Sequence, residues 1–308
     1  MTIFVTGGMG FIGSNFVNLH LKKYDGNVVV IDSESYSANP DNLEYDTGLE
    51  CYKVDIRNLH LMQDLYRKHR PKITYHFAAE SHVDNSIASD AEFLSTNING
   101  TYNILKCIQK FGGRLIHVST DEVYGSLSMD DPSFTEDTPY NPRNPYSATK
   151  AASDHLVRAY VNTHGIDAIV TNCSNNYGPR QHAEKFIPTV IRHIKYNKPI
   201  PIYGSGTNVR DWLFVEDHCE ALMVIGEKAK TGARYNIGGG FETSNLELTK
   251  MILNLMDKPE SLISFVDDRK GHDLRYSMNS EKLYKELGWK AQTDIHDGLQ
   301  KTLEWYTR

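Results

Sequence analysis

No apolar run in the 308 residues approaches the length of a bilayer span, so a membrane-embedded protein is not expected. Excess positive charge is lacking too. Lysine and arginine number 33 against 39 acidic residues, a net charge of −6, and no long basic run offsets that average. A nucleic-acid surface is therefore not expected. Cysteine is scarce, with four residues (Cys51, Cys107, Cys173, Cys219) and no Cys-x-x-Cys spacing. That argues for reduced thiols and against a disulfide frame or zinc site. The 13 histidines include no His-x-x-x-His pair, so no metal is expected. The chain shows no internal repeat or low-complexity stretch. It opens directly on a strand-like run, and no leader is expected ahead of the fold. A cytoplasmic protein fits these absences.

What is present is an alternation. Apolar strand candidates fall at 3–6, 28–32, 51–55, 73–78, 115–119 and 168–173, separated by helix-like stretches at 12–23, 59–69, 91–111 and 146–164. This pattern implies βαβ units and an α/β fold with a doubly wound parallel sheet, Rossmann-type. Beyond residue 175, prolines at 179, 188, 199 and 201 break the pattern, and helical order is expected near 186–196 and 246–256. We expect residues 1–175 to form the dinucleotide-binding unit, with a helix and strand near 212–237 returning to it. Residues 176–211 and 238–308 form a smaller lobe.

Gly7, Gly10 and Gly13 lie between the first strand and first helix. Glycines there let the backbone approach a pyrophosphate at a helix N-terminus. Asp32 closes the second strand, placed to accept hydrogen bonds from the adenosine ribose and to repel a 2′-phosphate, which favours NAD over NADP. An ordinary turn aspartate ahead of Ser33-Glu34-Ser35 is the alternative. Asp55 is open between an adenine contact and a helix cap.

Two further motifs carry chemistry. Ser119-Thr120-Asp121-Glu122-Val123-Tyr124-Gly125 puts a hydroxyl and two adjacent carboxyl groups at the end of a strand, where ligands of doubly wound sheets bind. Tyr146 and Lys150 share one face of a helix, a phenol–ammonium pair suited to oxidising an alcohol. An acid and a base side by side are suited to eliminating water.

With these motifs the chain resembles the extended short-chain dehydrogenase/reductases, and most specifically the dTDP-glucose 4,6-dehydratase family. The resemblance runs nearly end to end. It includes the run from Ala78 to Asp84 (AAESHVD), Ser174 to Pro179 (SNNYGP), Val209 to Trp212 (VRDW) and Asp268 to Asp273 (DRKGHD). Related 4-epimerases carry small residues in place of the acid pair, while decarboxylases and GDP-mannose dehydratases keep the glutamate behind a serine.

The resemblance implies bound NAD and a nucleotide-sugar substrate. Tyr146, its pKa lowered by Lys150 and the cofactor, takes the proton from the carbon 4 hydroxyl, which Thr120 holds. Glu122 removes the carbon 5 proton, and protonated Asp121 donates to the departing carbon 6 hydroxyl. It extends the cofactor site to Phe11, Ile12, Asp55, Ile56, Ala78, Ala79, Ser81, Thr96, Ser119 and Asn176. The substrate cleft takes Ser81, Thr120, Asn175, Lys185, Tyr203, Arg210, Asn245, Arg269, His272 and Tyr276, with the two arginines on the diphosphate. The family's helices corresponding to 91–111 and 146–164 pair as a four-helix bundle, implying a homodimer. The chain departs from the family pattern in three places. Asn85 and Asn172 stand where arginine is usual, and Arg180-Gln181-His182 replaces a more aromatic stretch. A methyl group separates thymidine from uridine, worth only about 1–3 kcal/mol in an apolar pocket, so dTDP-glucose and UDP-glucose both stay open. A sensor of NAD or nucleotide sugar is the reading from another class, and it requires no acid–base pair.

Overall fold

The computed structural model describes residues 1–45, 47–268 and 271–308. The first six strands are β1 (Thr2–Thr6), β2 (Asn27–Asp32), β3 (Leu49–Lys53), β4 (Ile73–His76), β5 (Arg114–Thr120) and β6 (Asp167–Cys173). Between them run α1 (Phe11–Lys23), α2 (Leu59–His69), α3 (Val83–Ala88), α4 (Ala91–Phe93), α5 (Thr101–Phe111) and α6 (Pro145–His164). β1 and β2 are Val/Ile-rich and buried over most of their length, as strands covered on both faces must be.

The chain continues through β7 (Asn175–Tyr177), α7 (Phe186–Lys195), β8 (Ile200–Tyr203) and β9 (Val209–Phe214). Next come α8 (Val215–Lys228), β10 (Arg234–Ile237), β11 (Glu242–Ser244), α9 (Asn245–Leu255), β12 (Ile263–Val266), α10 (Glu281–Leu287) and α11 (Ile295–Thr307). The main sheet is parallel, in the order β10-β6-β5-β4-β1-β2-β3. One apolar layer, with Phe16, Leu222 and Ile225, covers one face, and another, with Met62, Ile104 and Val157, covers the other. Outside it, β9 pairs with β7 and β11, and β8 with β12, around a third apolar cluster holding Tyr177, Trp212 and Leu299.

Several elements differ from the sequence expectation. β3 sits two residues earlier than 51–55, because this edge strand is half exposed and has no clean apolar run to mark its ends. β4 stops at His76 rather than 78. Residues 91–111 are helical throughout, but Leu94–Gly100 is a π turn between α4 and α5. Residues 212–214 belong to β9, so the returning helix begins at Val215. α10 and α11 had no counterpart in the sequence reading. Among the described residues, no helix is long and apolar enough to cross a membrane.

Candidate active site

The carboxyl ends of β1, β2, β4, β5 and β6 open on one cavity of about 690 Å³. At its cofactor end the glycine turn is tightly constrained. Gly7 has φ +69°, and a Cβ there would stand 2.7 Å from the Ala78 nitrogen. A Cβ on Gly13 would fall 2.2 Å from the Gly7 carbonyl oxygen. Only glycine permits this approach. Gly10 caps α1, whose first N–H groups therefore face the cavity. The cradle fits a dinucleotide pyrophosphate.

Asp32 is buried and accepts from the Met9 N–H (3.0 Å) and the Glu34 N–H (2.9 Å). Burial raises its pKa while these donors oppose the rise. Asp55 does not cap α2, because Asn58 does, accepting from the Leu61 N–H at 3.1 Å. Partial burial works against the Asp55 charge, but hydrogen bonds from the Arg57 side chain and N–H outweigh it and hold the carboxyl low.

The cavity wall contains each residue expected at the cofactor. Gly7, Gly10, Phe11, Ile12 and Gly13 form the turn, with Asp32, Asp55 and Ile56 beyond the second and third strands. Ala78, Ala79 and Ser81 follow β4, Thr96 lies in the π turn, and Ser119, Tyr146, Lys150 and Asn176 complete the wall.

At the catalytic end α6 starts sharply. Asn144 and Ser147 form a reciprocal capping box, with Pro145 at the first helical position. This start sets Tyr146 against the end of β5. Thr120 Oγ1 donates to Asp121 Oδ1 (3.2 Å) and accepts from the Glu122 N–H (3.3 Å). Asp121 is buried, and its Oδ2 makes no hydrogen bond among the described residues. Burial, then Glu122 and Asp211, pushes its pKa well above the ordinary carboxylate range, against the pull of Arg210. Glu122 is half-buried and accepts from Asn144 Nδ2 at 3.1 Å. The two neighbours therefore sit in different environments.

In the protein without cofactor the Tyr146 pKa lies high. Burial, then Glu122 and Cys173, drives it well up, and a hydrogen bond with Thr120 opposes this only in part. Lys150 Nζ is buried and donates to the Val118 carbonyl at 2.9 Å.

The expected substrate residues divide. Ser81, Thr120, Asn175 and Lys185 line the cavity, and Lys185 Nζ donates to the Ser81 carbonyl at 3.2 Å. Tyr203, Arg210, Asn245, His272 and Tyr276 are not part of that wall. Arg210 is buried over the Tyr276 ring (4.4 Å) and donates to the Val209 and Asp273 carbonyls at 2.7 and 3.0 Å. It lies near enough to act on Asp121, as Glu122 acts on Tyr276. His272 Nδ1 lies 2.7 Å from Asp268 Oδ1, beside the exposed Tyr203 ring. Asn245 opens α9. Arg269 lies outside the described residues.

Comparison with known proteins decides the family. Residues 4–302 match the family described as GDP-mannose 4,6 dehydratase. A dTDP-glucose 4,6-dehydratase of Haemophilus influenzae is 45% identical, the alignment covering 99% of this chain and 98% of that one. The chain belongs to the dTDP-glucose 4,6-dehydratase family. The crystal structure of a dTDP-glucose 4,6-dehydratase from Streptomyces venezuelae, with NAD bound, superposes with a TM-score of 0.95 at 43% identity, covering 100% and 97% of the chains. A UDP-glucose 4-epimerase from Thermotoga maritima reaches 0.93 at 28% identity, covering 100% and 99%. Epimerase and dehydratase thus share a fold, so the fold alone does not distinguish the two activities.

Several groups in the site escaped the sequence reading. Asn144 holds Glu122, and an Asn-Pro pair just ahead of a helical pattern is a readable cap signal. Asn97, in the π turn, accepts from the Glu80 N–H (2.9 Å) and donates to Thr149 Oγ1 (2.9 Å), tying the loop after β4 to α6. Asp211 lies within the Val209–Trp212 run, but its effect falls on Asp121, distant in sequence.

Proposed function

We propose that this chain dehydrates a nucleoside-diphosphate glucose, with dTDP-glucose as the substrate the family favours and UDP-glucose as the competitor. The product is the nucleotide-linked 4-keto-6-deoxyglucose. The observation that carries the reading is Asp121, a buried carboxyl with an unbonded oxygen, held toward its protonated form directly beside Glu122. An alcohol oxidation needs only Tyr146 and Lys150. An adjacent acid and base are needed for elimination.

Gly7, Gly10 and Gly13 would cradle the pyrophosphate of NAD, which when bound would supply hydride transfer, oxidising carbon 4 and reducing carbon 6. Tyr146 takes the proton of the carbon 4 hydroxyl while Thr120 Oγ1 orients that hydroxyl. Removing this proton from a buried phenol costs energy unless cationic charge approaches, so the bound cofactor and Lys150 together lower the barrier. Glu122, steadied by Asn144, then takes the proton at carbon 5, which the new ketone has acidified. Asp121 gives its proton to the hydroxyl on carbon 6, and water leaves. Glu122 finally returns a proton to carbon 5.

Residues 1–175, with the return of 212–237, hold the cofactor in this reading, and residues 176–211 and 238–308 hold the nucleotide sugar. Lys185 reaches the substrate from the second lobe and Asn175 from the end of the first, and Arg210 and Arg269 take the diphosphate. The enzyme works as a cytoplasmic homodimer. Exposed Leu94 and Tyr102, the latter edge-on to Tyr160 of α6 at 6.3 Å, support a four-helix bundle between two copies.

Product analysis tests the activity. Purified protein is incubated with dTDP-glucose or UDP-glucose, without added reductant, and the products are read by mass spectrometry and NMR. Loss of one water with a new methyl at carbon 6 is the expected result, and the two rates rank the nucleotides. Galactose formation, or no change with NAD bound, rejects the dehydratase reading.

A further inference from the structure

Behind Lys150, away from the cavity, lies a buried acid that the mechanism does not use. Asp154 follows Lys150 by one turn of α6, so the two project from the same face of the helix. Neither Asp154 nor its neighbour His117 exposes any side-chain surface, and His117 Nε2 stands 3.1 Å from Asp154 Oδ1. The other oxygen, Oδ2, accepts from the Tyr140 hydroxyl (2.8 Å) and from Asn172 Nδ2 (3.2 Å). Asn172 Nδ2 also donates to the Thr120 carbonyl (3.1 Å), so the network reaches the catalytic strand.

A carboxylate buried this deeply persists only with compensating charge and hydrogen bonds. The titratable groups around it come from every neighbouring element. They are His76 on β4, His117 on β5, Tyr124 beyond β5, Tyr140 ahead of α6, Lys150 on α6, Cys173 on β6 and Arg234 on β10. Burial and Lys150 keep His117 toward its neutral form. Arg234 stands behind the rings of Tyr140 and Tyr124, at 5.2 and 5.8 Å. Asn172 is a neutral donor and brings no charge of its own. Against burial, His117, then Lys150 and Tyr140, hold the Asp154 carboxyl low, so the Lys150 ammonium is one of the groups that balance its charge.

We propose that Asp154 is a positioning residue, the buried counter-ion that keeps the Lys150 ammonium charged beside Tyr146. The inference rests on the reading that Lys150 and Tyr146 act as a pair. Burial disfavours the ammonium, and Asp154 is the group that most opposes this. Without it Lys150 gives up its proton at lower pH, and its charge disappears from the site on the alkaline side.

The test compares wild-type, Asp154→Asn and Lys150→Met holoenzymes across pH. Two signals are followed: the rate of nicotinamide reduction in the first half-reaction, and the ζ-15N resonance of Lys150, assigned by its loss in Lys150→Met. In Asp154→Asn both the alkaline limb and the resonance midpoint should fall by about one pH unit. The rate on the alkaline side should then be about tenfold lower, with much less change on the acid side. Asn172→Arg, which sets a competing cation on Asp154 Oδ2, should move both in the same direction and serves if Asp154→Asn does not fold. An unmoved limb and midpoint, with lower thermal stability alone, would make Asp154 merely structural and overturn the inference while the pair stands. Full hydride transfer in Lys150→Met would overturn the pair, and the inference with it.

Discussion

The floor and the rim of the cavity treat the same side chains in opposite ways. On the floor, Thr120, Asp121, Tyr146 and Lys150 are all buried, and Ser119 Oγ, Asp121 Oδ2 and Asn175 Oδ1 find no hydrogen-bond partner among the described residues. At the rim, solvated pairs dominate. Arg57 reaches Asp55 (2.7 Å) and Glu92 (2.5 Å), Lys53 reaches Glu34 (2.7 Å), and the Tyr36 hydroxyl donates to Glu184 (3.1 Å). Asp55 at the rim is held low by a guanidinium despite some burial, while Asp121 on the floor is driven high by burial and like charge. One residue type is thus held charged in one place and toward its protonated form in the other, and the difference is solvent and neighbouring charge.

The sharpest way to break that contrast is to remove the floor's asymmetry. Glu122→Gln should abolish exchange of the carbon 5 hydrogen with solvent deuterium and slow turnover by about 10²–10⁴-fold. Asp121→Asn should slow water loss by a similar factor while leaving nicotinamide reduction nearly intact, as read by single-turnover absorbance against product formation. Equal loss of both steps in Asp121→Asn would remove its role as donor. Next in size, Gly13→Ala drives a methyl into the Gly7 carbonyl. The variant should purify without NAD and bind it at least tenfold more weakly by calorimetry. Retained tight binding would mean the turn yields, and that the cradle is less rigid than its contacts indicate.

Asp211 extends the floor's logic into stability. Burial raises its pKa to about 7, although the Phe241 and Gly240 N–H groups oppose the rise. The folded state therefore binds a proton that the unfolded chain has released. Its contribution to stability is full below the ordinary carboxylate pKa and is lost as pH climbs to about 7. Asp211→Asn should flatten that slope and gain stability on the order of a few kcal/mol at neutral pH. Denaturant melts at several pH values check this, and an unchanged slope would assign the pH dependence elsewhere.

The contrast also explains what was legible in the sequence. The floor is written in short runs, with Gly7 to Gly13, Ser119 to Glu122 and Tyr146 to Lys150 each carried by one turn of chain. The parallel sheet was legible for the same reason, since its buried strands are continuous apolar runs. β3 was misplaced because an exposed edge lacks that signal. The π turn at Leu94–Gly100 has the apolar pattern of an ordinary helix, so nothing marked it. Asp211 and Asp154 matter only through residues distant in sequence or hidden behind the site. Among the substrate residues, Tyr203, Arg210, Asn245, His272 and Tyr276 lie off the cavity wall, because a short motif does not report how the second lobe is set.

The rim was the least legible part, because it is assembled from three separated segments with unremarkable side chains. Tyr36 follows β2, His82 and Asn85 belong to α3 and its cap, and His182 and Glu184 precede α7. Asn85 Nδ2 donates to the Tyr36 hydroxyl (3.3 Å), while His82 and His182 stand 3.8 and 3.4 Å from Glu184. Glu184 and His182 both line the cavity, so this group bridges its mouth. Each contact is exposed or partly exposed, and such pairs contribute only about 0–1 kcal/mol. Tyr36→Phe should therefore speed NAD release no more than about fivefold and leave the rate of water loss unchanged, with stopped-flow fluorescence of NAD dissociation as the measurement. A much larger acceleration would show that the rim, despite its solvation, holds the cofactor as firmly as the floor does.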